Sequence, residues 1–234
     1  MLSRVVDLAR AIADDADNID VFVTTEDQRI ADHAAEIGVE CIITPDTCAT
    51  GSDRVLAALE QRSQMPDYVL NLQGDAPFTP PSVVKAIIAA FESAPEVVTP
   101  VHPLTWDDLD RLRENKKTTP YSGTTAIVNA HDQAIWFSKN IIPAIRKEGD
   151  LRKSSPISPV LQHIGLYGYR VDILKRFCAL QPGFYETLEG LEQLRLIENG
   201  ISITAVKVDI DKGQIQSGID TPEDLARANA VMQP

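Results

Sequence analysis

The fold class that the sequence predicts is α/β, with a mostly parallel sheet covered by helices on both faces. Segments with helical and with strand periodicity alternate from residue 2 to residue 101. The predicted strands, such as Tyr68–Leu72, are mainly apolar and do not alternate with polar residues, which is typical of strands buried on both faces. The 234 residues contain no internal repeat and no clear linker, so we expect a single domain over 1–234.

The elements of the first half follow from periodicity and capping residues. Val5, Leu8 and Ile12 share one face of the first helix. Asp27 is a suitable N-cap for the second helix, and Pro81 lies in the first turn of the fourth, where proline is tolerated. We predict helices over 2–16, 27–37, 51–61 and 80–91, and strands over 19–23, 41–43, 68–72 and 97–101.

The second half of the sequence has a less regular pattern. Residues 116–125 are rich in Thr, Ser, Gly and Pro and predict a loop, and the charged, then Ser/Pro-rich stretch 147–159 predicts a mobile loop. Thr221 and Pro222 are suited to the start of a last helix. We predict helices over 106–114, 171–179, 185–198 and 221–231, a hairpin of 125–128 and 134–137, and strands over 163–169 and 201–208.

Composition and charge exclude several classes of protein. Lys and Arg number 22 against 34 Asp and Glu, a net charge of −12, which argues against nucleic-acid binding. No apolar run approaches the roughly 20 residues of a membrane helix, and charges within residues 1–16 argue against a signal peptide. The three widely spaced cysteines suggest no disulfide framework, so we expect a cytoplasmic protein without membrane insertion.

Two aspartates are candidate metal ligands. Asp75 directly follows the strand over 68–72, and Asp220 precedes the last predicted helix. Carboxylates at such ends suit Mg²⁺, which takes few carboxylates together with substrate phosphates. The alternatives are a turn aspartate before Pro77 and ordinary helix-start chemistry.

A second candidate is the segment Gly51-Ser52-Asp53-Arg54, which follows a strand and opens a helix. Backbone N–H groups at such a position can bind an anion or the edge of a base. The segment matches neither the Walker A nor the Gly-x-Gly-x-x-Gly pattern. The alternative is a capped helix start without a ligand.

Polar residues of the second half indicate a third candidate region. His163, Tyr167 and Tyr169 alternate along one predicted strand and would share a face, as the wall of a pocket, as a solvated sheet face or as a dimer contact. Glu189 and Glu192 are spaced i, i+3 on one predicted helix, either at a site or on a solvated face. Lys139, at a strand end, is a candidate for a carboxylate or phosphate ligand, or alternatively an exposed lysine.

Taken together, these segments resemble one family over essentially the whole chain. The resemblance rests, in order, on Asn71-Leu72-Gln73-Gly74-Asp75-Ala76-Pro77, Trp136-Phe137-Ser138-Lys139, His163-Ile164-Gly165-Leu166-Tyr167-Gly168-Tyr169-Arg170, Leu191-Glu192-Gln193-Leu194-Arg195 and Gly218-Ile219-Asp220-Thr221-Pro222-Glu223-Asp224-Leu225. The chain resembles the 3-deoxy-manno-octulosonate (Kdo) cytidylyltransferases, which make CMP-Kdo for lipopolysaccharide. The third and fourth segments are specific to that family, whereas the last is shared more widely among nucleotidyltransferases.

The resemblance implies a fold, a reaction and a role for each candidate. It implies a Rossmann-like nucleotide-diphospho-sugar transferase sheet with a smaller mixed β subregion over about 105–170 for substrate binding and dimerisation. It implies that the anomeric hydroxyl of Kdo, or of a related 2-keto sugar acid, attacks the α-phosphate of CTP and releases pyrophosphate in a homodimeric enzyme. The implied roles are catalysis and Mg²⁺ binding for Asp75 and Asp220, nucleotide binding for Gly51, Ser52, Arg54 and Gln73, and sugar binding for Lys139, His163, Tyr167, Glu192 and Gln193.

The sequence also departs from the family pattern. The family's N-terminal strand and basic loop have no counterpart, because Met1-Leu2 falls where the family's first helix begins, and we expect the natural chain to begin upstream. Ala76 replaces a usual Glu. Lys139 replaces a usual Arg and the loop over 116–125 a usual strand, and because these two departures fall at the expected sugar site they suggest a modified acceptor, such as an amino-Kdo or another 2-keto sugar acid. The alternatives are a cytidylyltransferase for another sugar acid and a non-catalytic paralogue that binds a sugar nucleotide or a partner subunit.

Overall fold

The structure is a computed structural model that describes residues 1–16 and 18–210. These residues form two compact units. Unit 1 comprises Met1–Pro66 and Asn71–Lys85, and unit 2 comprises Asp67–Leu70 and Ala86–Ile210. Asp220 and the helix predicted over 221–231 lie outside the described residues, and the single domain over 1–234 stays a prediction.

The helices and strands alternate as predicted through the first half and less regularly beyond it. The elements through residue 90 are α1 (Leu2–Ala13), β1 (Phe22–Thr25), α2 (Gln28–Glu36), β2 (Glu40–Ile43), α3 (Gly51–Leu59), β3 (Tyr68–Asn71) and α4 (Pro81–Ala90). The elements from residue 97 to residue 207 are β4 (Val97–Thr105), α5 (Trp106–Asn115), β5 (Thr124–Val128), β6 (Ala134–Ser138), α6 (Glu148–Ser154), β7 (Ile157–His163), β8 (Tyr167–Arg170), α7 (Val171–Cys178), α8 (Phe184–Glu189), α9 (Gln193–Glu198) and β9 (Ile203–Lys207). None of the helices in the described part of the chain is long and apolar enough to span a membrane.

Unit 1 contains a parallel strand pair with helices packed against it. β1 and β2 pair in register from Phe22 with Glu40 to Thr25 with Ile43. A core cluster of Val6, Ala34 and Val39 holds α1 and α2 against these strands. Because the strands are parallel, both carboxyl ends lie at one edge, where they lead into the loops that precede α2 and α3.

The sheet of unit 2 corrects the predicted topology. Its strand order is β3-β8-β4-β7-β5-β6, with β9 also paired to β4. β4 is antiparallel to β7 and β8, and β5 is antiparallel to β6 and β7; only the β4–β9 pair in this group is parallel. The prediction of a mostly parallel sheet is therefore wrong here, because continuous apolarity reports burial of both faces and not strand direction.

One predicted strand, over 163–169, is two strands that share an edge of β4. β7 pairs with the C-terminal half of β4, up to Val101 with His163, and β8 pairs with its start, up to Val98 with Gly168. Residues 99–100 of β4 consequently lie opposite residues 164–167. The chain bulges at this point, where the backbone N–H of Ile164 donates to the carbonyl of Pro100 at 3.1 Å.

The segment predicted as a mobile loop, 147–159, is ordered into α6 and the start of β7. The reason is a group of ion pairs that the local composition does not reveal. Glu148 pairs with Arg113 of α5 at 2.7 Å and with Arg152 of its own helix at 2.7 Å.

The helix predicted over 185–198 is broken into α8 and α9. Gly190 ends α8 with φ of 62°, a left-handed conformation that glycine adopts without strain. A buried ion pair then joins the two helices, because Arg195 donates to both carboxylate oxygens of Glu186, at 2.5 and 2.8 Å. The guanidinium also lies 4.7 Å from the centre of the Phe177 ring.

The Glu186–Arg195 pair yields a stability prediction. Burial alone raises the pKa of Glu186, but the hydrogen bonds from Arg195 and from the Gly183 N–H outweigh it and lower the pKa. Glu186→Gln leaves a buried guanidinium unpaired and should reduce the free energy of unfolding in urea by about 3–5 kcal/mol at pH 7. Because the folded pKa is lowered, the difference from wild type is complete above the ordinary pKa of 4.5 and shrinks as the pH falls below it.

The matched control is Glu114→Gln, which breaks the pair with Lys117 in which both side chains are 69% exposed. It should change the stability by less than about 0.5 kcal/mol. An equal effect of the two substitutions would contradict the assigned role of the buried pair.

Candidate active site

The first part of the site is the N-terminus of α3 in unit 1. Thr50 and Asp53 form a capping box, in which the Thr50 hydroxyl accepts from the Asp53 N–H at 3.2 Å and the Asp53 carboxylate accepts from the Thr50 N–H at 3.1 Å. Gly51 lies close to the end of β3, since a Cβ there would be 3.4 Å from Nδ2 of Asn71. Ser52 is buried, with 3% of its surface exposed. The capped helix start predicted as the alternative is therefore present, and it leaves a compact turn of backbone N–H groups.

Arg54 connects this helix to the ends of both strands of unit 1. Its guanidinium pairs with Glu26, which follows β1, at 2.5 Å, and Nη1 donates to the Thr44 hydroxyl, which follows β2, at 2.9 Å. Only 18% of the Arg54 side chain is exposed. In this state the guanidinium organises the loops at one edge of unit 1, and a nucleotide contact would have to share it with Glu26.

The third part of the site, also in unit 1, is the turn after β3 that carries Gln73 and Asp75. The Ala76 N–H donates to the Gln73 carbonyl at 3.1 Å, which closes the turn, and Asp75 lies half-buried within it. A Cβ on Gly74 would make only ordinary contact with Leu2, at 3.9 Å, so that glycine is not required there by packing.

Asp75 is chemically suited to a hard divalent cation. Mg²⁺ is commonly held by one or two carboxylates together with water and substrate phosphates, so one ordered carboxylate at a strand end fits that donor set. The second predicted ligand, Asp220, lies outside the described residues. Within residues 1–16 and 18–210 there is no group of three or more His, Cys, Asp or Glu side chains that could hold a metal without substrate oxygens.

Unit 2 brings four of the predicted sugar-binding residues into one cluster. The rings of His163 and Tyr167 lie 5.4 Å apart across the bulge between β7 and β8. Lys139 directly follows β6, which pairs with β5, and β5 in turn places Thr124 opposite His163. After burial, the positive charge of Lys139 lowers the pKa of His163, and after burial and Tyr169, the negative charge of Glu192 raises the pKa of Tyr167. Tyr169 is instead a core residue, 2% exposed and stacked on Phe177 at 6.1 Å.

The fifth sugar-binding candidate, Gln193, opens α9 directly after Glu192. Its side chain is 4% exposed, and its Nε2 has no hydrogen-bond partner among the described residues. A buried amide donor without a partner carries a free-energy cost, and a bound polar ligand would remove that cost.

Burial and Lys139 fix the protonation state of this cluster. Burial in the first place, and the Lys139 ammonium in the second, lower the pKa of His163 to about 3, so that its imidazole is neutral at physiological pH. Burial, followed by Tyr169 and Glu192, raises the pKa of Tyr167 well above its usual value, so that its phenol keeps its proton. The cluster therefore combines a neutral imidazole and a neutral phenol with the cation of Lys139 and the carboxylate of Glu192.

Two further residues hold Lys139 in place, and the sequence did not identify them as such. The Glu189 carboxylate accepts from the Ser138 hydroxyl and from the Lys139 N–H, both at 2.8 Å. Lys116 donates to the Lys139 carbonyl at 2.6 Å and to the carbonyls of Ser122 and Gly123 at 2.5 and 3.0 Å. Because Gly190 ends α8, Glu189 and Glu192 do not share a helix face, and the i, i+3 premise was wrong.

No local sequence signal links Lys116 or Glu189 to Lys139, because Lys139 is 23 positions from Lys116 and 50 from Glu189 along the chain. The side chain of Lys116 is held by carbonyl groups, and burial, then the neighbouring Lys139, lowers its pKa. Lys139 itself makes no ion pair with any described residue, which leaves its half-buried ammonium available to an anionic group.

Comparison with known proteins places the chain in a family. A family model described as Cytidylyltransferase matches residues 1–203. The chain is 38% identical to the 3-deoxy-manno-octulosonate cytidylyltransferase of Maricaulis maris over 99% of this chain and 86% of the relative, and 35% identical to that of Rickettsia bellii over 89% and 77%.

Solved structures give the same result at the level of the fold. The chain superposes with a TM-score of 0.81 and 28% identity on CMP:2-keto-3-deoxy-manno-octonic acid synthetase complexed with CTP, over 99% of this chain and 86% of that one. A 4-diphosphocytidyl-2C-methyl-D-erythritol synthase from Anaerococcus prevotii, at 13% identity and a TM-score of 0.58, shares the fold alone. With an α/β nucleotidyltransferase fold and this identity over almost its whole length, the chain belongs to the 3-deoxy-manno-octulosonate cytidylyltransferase family.

Proposed function

We propose that this chain is a nucleotidyltransferase that couples CTP to Kdo, or to a closely related 2-keto sugar acid, and releases pyrophosphate, as a step of lipopolysaccharide biosynthesis. The observation that carries the proposal is the convergence of Lys139, His163, Tyr167 and Glu192 in unit 2 of a chain that belongs to this family. A sugar acid offers one carboxylate and several hydroxyls. These match the Lys139 ammonium, which has no ion-pair partner among the described residues, and the hydrogen-bonding groups of His163, Tyr167 and Glu192.

The nucleotide is assigned to unit 1. The backbone at Gly51 and Ser52, with Arg54 and Gln73, would bind cytidine, since a capped helix N-terminus offers N–H groups to acceptor atoms. Asp75 and, outside the described residues, Asp220 would hold Mg²⁺. Bound Mg²⁺ neutralises phosphate charge and lowers the pKa of the attacking sugar hydroxyl.

The sugar acid is assigned to the unit 2 cluster. Lys139 would pair with its carboxylate, while His163, Tyr167, Glu192 and Gln193 would bind its hydroxyls. Because Glu189 and Lys116 fix the backbone of Lys139 from two sides, the point from which its side chain extends is ordered before substrate arrives, which would reduce the entropy cost of orienting the sugar acid.

The setting and assembly are also proposed. Cys41 and Cys48 are free thiols, which supports a reducing, cytoplasmic location. Phe184, Tyr185 and Leu188 expose 68%, 47% and 66% of their surface on α8, and Tyr185 packs edge-to-face on Trp136 of β6, the end strand of the sheet. An apolar helix face beside an edge strand suits a second copy of the chain, so we propose a homodimer formed by α8 and β6.

The first test of the proposed activity is pyrophosphate release with CTP, Mg²⁺ and Kdo. We expect turnover by the wild type and a loss of at least about 100-fold in kcat for Asp75→Ala, because the substrate phosphates lose a metal ligand. Asp7→Ala, which removes an exposed carboxylate from α1, is the matched control and should keep wild-type rates. No turnover by the wild-type chain would contradict the proposed activity of this chain. The same assay with the family's N-terminal strand and basic loop added would then separate a non-catalytic paralogue from an enzyme that needs that segment.

The second test separates the sugar subsite from the nucleotide subsite. Lys139→Met should raise KM for Kdo by about 10- to 100-fold with little change in KM for CTP, because the carboxylate loses a charge-assisted partner. Lys153→Met removes an equivalent charge from a lysine that is 82% exposed and should change neither constant. Equal effects of Lys139→Met on the KM for Kdo and the KM for CTP would refute the assignment of Lys139.

The acceptor is identified by comparing the wild-type kcat/KM for Kdo with that for 8-amino-Kdo.

The assembly proposal is tested by sedimentation. The wild-type chain should sediment near twice its mass of 25.7 kDa, and Leu188→Glu should convert it to a monomer, because a charge would be buried in the interface. Ile30→Glu, on α2 and 40% exposed, is the control. A dimer that persists in Leu188→Glu would place the interface elsewhere.

A further inference from the structure

A fully buried threonine lies at the bulge that brings His163 and Tyr167 together. Thr99 of β4 is 0% exposed and lies opposite residues 164–167. Its Oγ1 is 2.8 Å from Nε2 of His163 and 2.8 Å from the carbonyl oxygen of Leu166. The carbonyl oxygen of Ile164 is farther away, at 3.5 Å.

Counting protons determines the direction of both short hydrogen bonds. A carbonyl oxygen can only accept, so the contact with Leu166 must use the single hydroxyl proton of Thr99. That proton is then not available to His163, and the contact at 2.8 Å requires a proton on Nε2. Thr99 therefore accepts from His163 and donates to Leu166, and the imidazole is the Nε2–H tautomer.

The second ring nitrogen is left as a pure acceptor. His163 is neutral at physiological pH because burial and the Lys139 charge lower its pKa to about 3, so a proton on Nε2 leaves none on Nδ1. The ring packs on Phe137 at 4.9 Å and on Tyr167 at 5.4 Å, and no described residue hydrogen-bonds to Nδ1.

We propose that Thr99 is a positioning residue of the sugar-acid subsite, which holds His163 as the Nε2–H tautomer so that Nδ1 accepts a hydrogen bond from a substrate hydroxyl. This inference rests on the proposed function and deepens it. It divides the substrate between two neighbouring groups: a carboxylate, which only accepts, cannot pair with Nδ1 and is left to Lys139, whereas a hydroxyl can donate to Nδ1.

The tautomer is measured directly in the ligand-free protein. Long-range proton–nitrogen correlation spectra of ¹⁵N-histidine-labelled chain distinguish the two neutral tautomers and the cation, and the signal of His163 among the four histidines is the one missing in His163→Gln. We expect the Nε2–H form at pH 7 in the wild type. An Nδ1–H form or an imidazolium would overturn the proposal without any variant of Thr99.

Kinetics then test whether the tautomer matters to the substrate. Thr99→Val removes both hydrogen bonds and should raise KM for Kdo about 5- to 10-fold while KM for CTP stays within about 2-fold, with a mixture of His163 tautomers in the spectrum. Thr99→Ser keeps the hydroxyl and should restore the wild-type tautomer and KM.

The matched control is Thr105→Val in the same strand, which removes the N-cap of α5 and touches neither His163 nor Leu166. It should lower stability by about 1 kcal/mol without moving the tautomer or the KM for Kdo. If Thr99→Val leaves the tautomer and the KM for Kdo unchanged, or raises both KM values as a general loss of folding would, the proposal is refuted. Failure of the wild type to use Kdo would refute the proposed function, and the spectrum would still decide the tautomer.

Discussion

The geometry of unit 2 depends on one constraint, the use of a single edge of β4 by two successive strands. β7 and β8 both pair with that edge, β9 occupies the other, and four residues of the β7–β8 segment must be accommodated opposite two residues of β4. The extra chain length bulges at 164–167, and the Thr99 hydroxyl donates to the carbonyl of Leu166 within this bulge. His163 and Tyr167 border this bulge, so the irregularity that breaks the strand also forms the wall of the candidate site.

Burial and nearby charges together set the protonation states of His163 and Tyr167 in this wall. Burial, reinforced by the Lys139 charge, lowers the pKa of His163 and keeps its imidazole neutral, and burial, followed by Tyr169 and Glu192, raises the pKa of Tyr167 and keeps its phenol protonated. The same low polarity makes unpaired groups costly, which explains why Lys116 and Glu189 are so fully engaged with the backbone around Lys139. One ammonium, that of Lys139, has no anionic partner among the described residues, and this is the feature that a carboxylate ligand would complete.

Local physics predicted much of the fold and of the individual site residues. Asp27 caps α2 as expected, and the helical periodicity and capping residues located α3, α5 and α7 within a few residues. Prediction failed where contacts distant in sequence decide. Glu148 orders the segment 147–159 by pairing with Arg113, and Gly190 divides a helix that the apolar spacing predicts as continuous. The apolar character of β7 and β8 also does not reveal that they run antiparallel to β4.

The sequence by itself determined the family and the residue types of the site. The reason is that the motifs are short runs of consecutive residues, which can be recognised without a three-dimensional structure. It also indicated that a strand such as that over 97–101 is buried on both faces, since four of its five residues are apolar, and residues 97–101 are all buried in the structure. Only the tertiary structure decided which residues meet: that Glu189 holds Lys139, that Tyr169 belongs to the core, and that Thr99 sets the tautomer of His163. The physical reason is that hydrogen bonds and desolvation act over a few ångströms, and residues 64 positions apart reach that distance only after the sheet has formed.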